Sequence, residues 1–126
     1  MTSTPLVGIV GGTGPAGTGL ALRFAAGGVT VLLGSRDPAR AATTANDLNT
    51  MHSLLTPITG VSNEAACDAD IVVLATSADA IVETAAALRE QLAGRITVCM
   101  ANLLKRSKRS FEAVLPPEGS VARAVQ

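Results

Sequence analysis

The sequence predicts an α/β fold in which one parallel sheet is covered by helices on both faces. Apolar, strand-like runs alternate with helix-like segments along the first hundred residues. These runs are continuous rather than alternating, which is typical of parallel strands buried on both faces. The first run leads directly through a glycine-rich turn into a helix. Together these observations indicate a Rossmann-type, doubly wound parallel sheet with the strand order 3-2-1-4-5.

The glycine-rich turn lies between a strand predicted at 6–10 and a helix predicted at 20–26. Gly12, Gly14 and Gly17 allow a sharp turn, a close approach of a pyrophosphate to the backbone, and close packing of the helix on the strand. The first turn of the helix presents free N–H groups and the positive end of its dipole. We therefore predict that this turn binds dinucleotide phosphates, the alternative being a structural turn that binds nothing.

The sequence signals for the next two strands differ in strength. Residues 29–33 are apolar and rich in β-branched side chains, which predicts a buried strand. A helix is expected at 39–51, with Pro38 in its first turn, where proline is tolerated. Residues 54–59 form a weaker strand because Pro57 interrupts them, and this favours the edge of the sheet.

The second half of the predicted domain repeats the pattern. After a short helix that begins at Asn63, residues 71–75 form the clearest interior strand. Asp79 is expected to cap a helix at 80–92, whose apolar residues recur on one face. Residues 96–100 are predicted to be the fifth strand.

The composition argues against several classes of partner. The chain has equal numbers of acidic and basic residues, two phenylalanines, and neither tyrosine nor tryptophan. It therefore lacks the basic surface and the aromatic side chains that bind nucleic acid. Glycines interrupt the first apolar run long before it could span a bilayer, and no charged leader precedes it, so we expect a cytoplasmic protein. Cys67 and Cys99 have no metal-like spacing and are expected to be small buried groups, so no metal site is predicted.

A basic segment follows the fifth predicted strand. Four cations lie within five residues: Lys105, Arg106, Lys108 and Arg109. The segment is either a solvated loop or a contact with an anionic ligand or a further part of the protein. We expect residues 1–104 to form the nucleotide-binding domain. Residues 105–126 would then be a basic loop and the start of a truncated C-terminal region, in which Ser120 caps a new helix.

The end of the second strand distinguishes the two nicotinamide nucleotides. An acidic side chain there would bind a ribose diol and repel a 2′-phosphate. This chain has Ser35 and Arg36 at that point, with Arg40 one helical turn later. A hydroxyl and two guanidiniums suit a phosphate dianion through charge-assisted hydrogen bonds. The sequence therefore predicts NADP, and Asp37 is interpreted as a cap of the following helix.

No catalytic side chain is predicted. The absence of tyrosine excludes an active short-chain dehydrogenase, which uses a tyrosine and lysine pair. No Ser/His/Asp set and no carboxylate pair converge on the carboxyl ends of the strands. Any chemistry would be carried by bound cofactors, with the protein supplying position and electrostatics.

Several segments taken together resemble the coenzyme F420-dependent NADP oxidoreductases. These segments are Gly11–Gly17, Gly19–Arg23, Gly34–Arg36, Ile58–Gly60 and Asn63–Ala66. The resemblance extends from about Val7 to the end of the chain. It implies an N-terminal Rossmann domain and direct, reversible hydride transfer between the nicotinamide of NADPH and the deazaflavin of coenzyme F420.

The resemblance also implies roles for individual residues. It places four residues on the pyrophosphate: Thr13, Gly14, Pro15 and Ala16. It places three on the 2′-phosphate: Ser35, Arg36 and Arg40. Four would flank the nicotinamide: Thr76, Ser77, Ala101 and Asn102. The family commonly has Pro-Trp where this chain has Ser77 and Ala78, which leaves less surface to pack on the nicotinamide.

Members of this family continue into a C-terminal part that completes the deazaflavin site and a homodimer contact. We therefore expect these 126 residues to bind NADP(H) and to transfer hydride weakly or not at all. Two other functions stay open. One is another NADP-dependent reductase of the pyrroline-5-carboxylate or ketol-acid type, and the other is a non-catalytic NADP-binding module.

Overall fold

A five-stranded parallel sheet forms the centre of the protein. The computed structural model describes residues 4–101, 104–114 and 116–126. The strands are β1 (Val7–Val10), β2 (Val31–Ser35), β3 (Ile58–Ser62), β4 (Ile71–Leu74) and β5 (Ile96–Cys99). Their order is β3-β2-β1-β4-β5, and each neighbouring pair is parallel. The predicted fold class and strand order are therefore confirmed.

Helices cover both faces of this sheet. They are α1 (Pro15–Ala26), α2 (Pro38–Met51), α3 (Asn63–Ala66), α4 (Ile81–Ala87), α5 (Arg89–Leu92) and α6 (Val121–Val125). Side chains of α1 and α2 belong to one apolar cluster, whereas those of α3, α4 and α6 belong to another. Successive residues of β4 alternate between the clusters, as the side chains of a strand must. Among the described residues, no helix has both the length and the apolar character needed to cross a bilayer.

Strands β2 and β3 begin later in the sequence than predicted. β2 starts at Val31 rather than 29, and β3 covers 58–62 rather than 54–59. The cause for β3 is a side chain of α2. Asn49 accepts a hydrogen bond from the Ile58 N–H at 2.8 Å and donates one to the Ile58 carbonyl at 2.9 Å, which fixes where the strand begins. The edge position of β3 is confirmed.

The helix predicted at 80–92 is divided into α4 and α5 by Leu88, whose backbone leaves helical geometry. The prediction that Asp79 caps this helix was wrong, because the N-cap residue is Ala80, which makes no side-chain hydrogen bond. Ile81, Ala85 and Leu88 are all buried, so the apolar face was predicted correctly. The same spacing continues through the break, which is why periodicity did not reveal it.

The C-terminal segment forms a hairpin and a short helix. β6 (Leu104–Arg106) and β7 (Phe111–Ala113) pair antiparallel, so the basic segment predicted as a loop begins within a strand. α6 starts after Ser120, whose hydroxyl oxygen accepts the Arg123 N–H at 3.1 Å, as predicted. α6 packs on α4 and β5. The segment therefore contributes to the apolar cluster on that face of the sheet.

One flank of the sheet exposes apolar side chains. On β5, Ile96 is 65% exposed and Val98 is 45% exposed. Leu104 and Phe111 on the hairpin are also exposed. In a doubly wound sheet such strand residues are normally covered. Exposed apolar surface of this kind favours association with other surfaces.

The two thiols differ in burial. Cys67 is buried, and its Sγ donates to the Asn63 carbonyl at 3.3 Å. Burial raises the pKa of the Cys67 thiol, and the nearby carboxylates of Glu64 and Asp68 raise it further. The thiol therefore stays protonated and poorly nucleophilic at neutral pH. Cys99 is only half-buried, so the prediction of two buried groups is confirmed for Cys67 alone.

Candidate functional site

The glycine turn joins the carboxyl end of β1 to helix α1. Gly11 has a positive φ of 64°, a conformation that favours glycine, and it turns the chain out of the strand. The Gly12 N–H donates to the Gly34 carbonyl at 2.8 Å, which ties the turn to the end of β2. A Cβ atom on Gly17 would overlap the backbone of Gly12. Turn and helix are therefore in direct backbone contact.

The N-terminus of α1 is open. Gly14 is the N-cap residue, no side chain caps the helix, and Pro15 occupies the first position, where it has no N–H to leave unpaired. A Cβ on Gly14 would meet no atom within 4 Å. The first-turn N–H groups of Ala16 and Gly17 thus have no side-chain cap, and uncapped N–H groups at a helix N-terminus are the arrangement that binds phosphate.

A cavity of about 480 Å³ lies beside this turn, at the carboxyl ends of β1, β2 and β4. Six of the predicted site residues line it: Thr13, Ser35, Arg36, Arg40, Thr76 and Ser77. The other glycine-turn residues form the turn and the first turn of α1 next to Thr13: Gly12, Gly14, Pro15, Ala16 and Gly17. Ala101 instead packs against the apolar cluster beneath α4 and does not line the cavity. Asn102 lies outside the described residues.

The end of β2 provides a hydroxyl and two cations to the cavity. Ser35 is 7% exposed, and its oxygen accepts the Asp37 N–H at 3.2 Å, so its own proton is available to a ligand. Arg36 and Arg40 are exposed and line the cavity. Asp37 Oδ1 accepts the N–H groups of Ala39 and Arg40, which confirms its interpretation as a helix cap. Asp37 also lines the cavity, so two guanidiniums against one carboxylate leave the local charge positive.

Thr76 has an unpaired hydroxyl. Its Oγ1 is buried and has no hydrogen-bond partner among the described residues, although Thr76 lines the cavity. Buried hydroxyls normally have partners, and one that lacks a protein partner beside a cavity suits a polar ligand. With the open helix N-terminus and the two guanidiniums, this hydroxyl gives a donor set that fits a phosphorylated dinucleotide.

The sequence analysis missed part of the lining. Asn63 is buried and lines the cavity, but it was interpreted only as a helix start and as part of a family resemblance. Ala80 and Thr84 of the β4–α4 region also line it. A neighbouring cavity of about 320 Å³ shares four lining residues with the first: Arg36, Asn63, Ala80 and Thr84. The site therefore continues along the groove between α3 and α4.

A larger cavity of about 840 Å³ lies elsewhere, among α5, β5 and α6. Arg89, Arg95 and Arg123 line it. None of the predicted site residues that the structure describes lines it, and those residues include the glycine turn. Dinucleotides bind outside the carboxyl ends of the strands in open α/β sheets. The cavity of about 480 Å³ beside the glycine turn is therefore the candidate site.

Comparisons with known proteins identify the relatives of this chain. Residues 6–103 match the family model described as NADP oxidoreductase coenzyme F420-dependent. The F420-dependent NADP reductase of Methanocaldococcus jannaschii is 33% identical over 126 residues, covering 95% of this chain and 56% of that protein. That of Methanothermobacter thermautotrophicus is 37% identical over 94 residues, covering 73% and 40%. The chain thus spans about half the length of these curated relatives.

Solved structures share the fold. A protein of Arthrobacter sp. FB24, provisionally identified as an F420-dependent NADP reductase, superposes with a TM-score of 0.72 at 26% identity over 98% of this chain and 57% of that one. A lactate dehydrogenase from a deep-sea metagenome library gives 0.65 at 20% identity, over 82% and 39%; this second likeness concerns the fold alone. Since the family model covers the glycine turn, β1 to β5 and the candidate site, the chain belongs to the coenzyme F420-dependent NADP oxidoreductase family.

Proposed function

We propose that this chain is the NADP(H)-binding part of an oxidoreductase that transfers hydride reversibly between NADPH and coenzyme F420. The observation that carries the proposal is the position of Ser35, Arg36 and Arg40 on the same cavity as the glycine turn. One dinucleotide with a 2′-phosphate would contact both the glycine turn and these three side chains. Coenzyme F420 is proposed as the second cofactor because the chain belongs to the coenzyme F420-dependent family.

The proposed binding mode assigns each phosphate to a different part of the site. The pyrophosphate lies at the N-terminus of α1, where Thr13, Gly14 and the first-turn N–H groups receive it. The 2′-phosphate is bound by the hydroxyl and guanidiniums at the end of β2. Thr76 and Ser77 then flank the nicotinamide end, and the unpaired Thr76 hydroxyl donates to the ligand.

When both cofactors are bound, the nicotinamide and the deazaflavin supply the hydride chemistry themselves. The chain contributes orientation and a fixed electrostatic environment. No side chain of the candidate site is required as a nucleophile or a base. The phosphate contacts would hold the adenine half of the nucleotide, and Thr76 and Ser77, which follow β4 and line the same cavity, would lie beside the nicotinamide.

The nucleotide site is proposed to lie in one of two parts of the chain. Residues 1–104 would form the NADP-binding unit, and residues 105–126 would begin a region that the relatives continue. The relative from Methanocaldococcus jannaschii is matched over only 56% of its length. We infer that such a region completes the deazaflavin site and a homodimer contact in a cytoplasmic enzyme. The exposed apolar flank of β5 is consistent with such a contact.

Three measurements test the proposal. Titration with NADPH and with NADH is expected to show tighter binding of NADPH; equal binding or a preference for NADH would contradict it. Deazaflavin absorbance then reports hydride transfer by the 126-residue chain and by a chain extended with the C-terminal region of a relative. We expect weak or no transfer by the 126-residue chain and clear transfer by the extended chain. Deazaflavin binding in the presence of NADP also separates this proposal from another reductase or a non-catalytic module.

Gly14→Ala is expected to separate nucleotide binding from stability. Gly14 has φ −80° and ψ 177°, which alanine adopts freely, and its Cβ would meet no atom within 4 Å. The free energy of unfolding should therefore stay within about 0.5 kcal/mol. The methyl group would occupy the approach to the helix N-terminus, so the NADPH dissociation constant should rise about tenfold. Unfolding curves and NADPH titration check both parts, and unchanged NADPH binding would place the pyrophosphate elsewhere.

A further inference from the structure

Asn63 connects the third strand to the glycine turn. It is the first residue of α3, directly after the edge strand β3, and it is 5% exposed. Its Oδ1 accepts the N–H of Gly11 at 2.9 Å, across 52 residues of sequence. The same oxygen lies 2.9 Å from the position that a Cβ on Gly34 would occupy. The amide is thus fixed between the glycine turn and the end of β2.

Gly11 is the first residue of that turn and the one with a positive φ. Thr76 also packs against Gly11, because a Cβ on Gly11 would overlap the Thr76 Cγ2 atom. Gly11 therefore contacts both Asn63 and Thr76, and all three residues line the candidate cavity. Without Asn63, the Gly11 N–H would lose its acceptor, and the backbone would be free to relax from a conformation that is needed to direct the chain into α1.

We propose that Asn63 is a positioning residue for nucleotide binding, whose side-chain carbonyl fixes the start of the phosphate turn through the Gly11 N–H. This inference rests on the proposed function. Asn63 acts on the nucleotide through Gly11, so its loss weakens NADPH and NADH by the same factor. The 2′-phosphate contacts are unaffected because Ser35 is held separately, by the Asp37 N–H.

The test compares Asn63→Ala, Asn63→Asp and Ser62→Ala with the wild-type chain. Amide hydrogen exchange of Gly11 and titration with NADPH and NADH are measured for each. In Asn63→Ala, Gly11 should exchange at least about tenfold faster and both nucleotides should bind about tenfold more weakly, as expected for the loss of one ordering hydrogen bond. Asn63→Asp keeps an acceptor oxygen, so Gly11 should remain protected to within about threefold. The added negative charge also weakens nucleotide binding by repelling the phosphates. In Asn63→Asp, therefore, only the hydrogen exchange of the Gly11 amide tests the inference.

Ser62→Ala is the matched control. Ser62 Oγ caps the same helix by accepting the Ala65 N–H at 3.1 Å, whereas the acceptor of the Gly11 N–H is Asn63. Removing this cap destabilises α3, yet Gly11 protection and both affinities should stay within about twofold of wild type. If Ser62→Ala reproduces both losses, general destabilisation explains them and the positioning role is wrong.

Further outcomes also decide the matter. An Asn63→Ala variant with wild-type protection and affinity contradicts the inference alone. If that variant does not fold, an Asn63→Asp variant with an unprotected Gly11 contradicts it, and a protected Gly11 supports it. A larger loss for NADPH than for NADH would mean that Asn63 acts on the 2′-phosphate instead. Wild-type chain that binds neither nucleotide contradicts the proposed function, and the positioning role with it.

Discussion

Gly17→Ala is expected to damage both the fold and nucleotide binding. A Cβ at this position would overlap the Cα, carbonyl carbon and oxygen of Gly12, all of them backbone atoms that no side-chain movement can displace. Helix α1 must then shift away from the turn. We expect the free energy of unfolding to fall by about 3 kcal/mol, as for a severe case of overpacking. NADPH affinity should fall about a hundredfold, because displaced first-turn N–H groups lose at least two phosphate hydrogen bonds.

Gly19→Ala provides the control in the same helix. Gly19 is exposed, and a Cβ there would meet no atom within 4 Å. Alanine in a helix interior is more favourable than glycine, so this variant should gain about 0.5–1 kcal/mol of stability and bind NADPH normally. Urea unfolding and NADPH titration of both variants make the comparison. Gly17→Ala with wild-type stability would show that the helix does not pack on the turn as described.

The double variant Arg36→Ala/Arg40→Ala is expected to remove the preference for NADPH. Both guanidiniums line the cavity beside the Ser35 hydroxyl. Each charge-assisted hydrogen bond to the 2′-phosphate should contribute about a tenfold factor, so the NADPH dissociation constant should rise about a hundredfold. NADH lacks the 2′-phosphate, and its binding should change by less than about threefold.

Arg23→Ala is a control for the loss of a surface cation. Arg23 is an exposed cation in the last turn of α1 and does not line the cavity. It changes the net charge of the chain by one unit without removing a proposed ligand contact. We expect its NADPH affinity to remain within about twofold of wild type, because an exposed charge that does not line the cavity is screened by salt. Equal losses of NADPH and NADH in the double variant would contradict the assignment of the 2′-phosphate.

The central strands and the phosphate turn could be predicted from sequence because their signals are local. β4 is an uninterrupted run of β-branched and leucine residues, and the turn of Gly12 to Gly17 combines three glycines in fixed spacing between a strand and a helix. The cap by Asp37 was also predictable, since an acidic residue before a proline-initiated helix has few other roles. The sequence signal for each of these features lies in residues that are close together in the chain.

The misplaced features depend on residues distant in sequence. The start of β3 is set by the Asn49 amide on α2, and no periodicity in residues 54–62 encodes that contact. Asn63 reaches the cavity because α3 packs on β1 and β2, which is a tertiary arrangement. Ala101 follows a strand that ends at the correct edge of the sheet, but its side chain packs against the core instead. Position at the end of a strand predicts proximity to the site, and packing decides which side chains enter it.

The central place of β1 in the sheet affects how the chain reaches its native state. Val7 pairs with Val31 on one side and with Ile71 on the other, so the first strand to be synthesised acquires its second neighbour much later than its first. Closing that longer loop slows folding, as in other proteins dominated by non-local pairing. Until β4 has left the ribosome, the nascent chain carries an apolar strand with one open hydrogen-bonding edge, which is the kind of surface that chaperones cover.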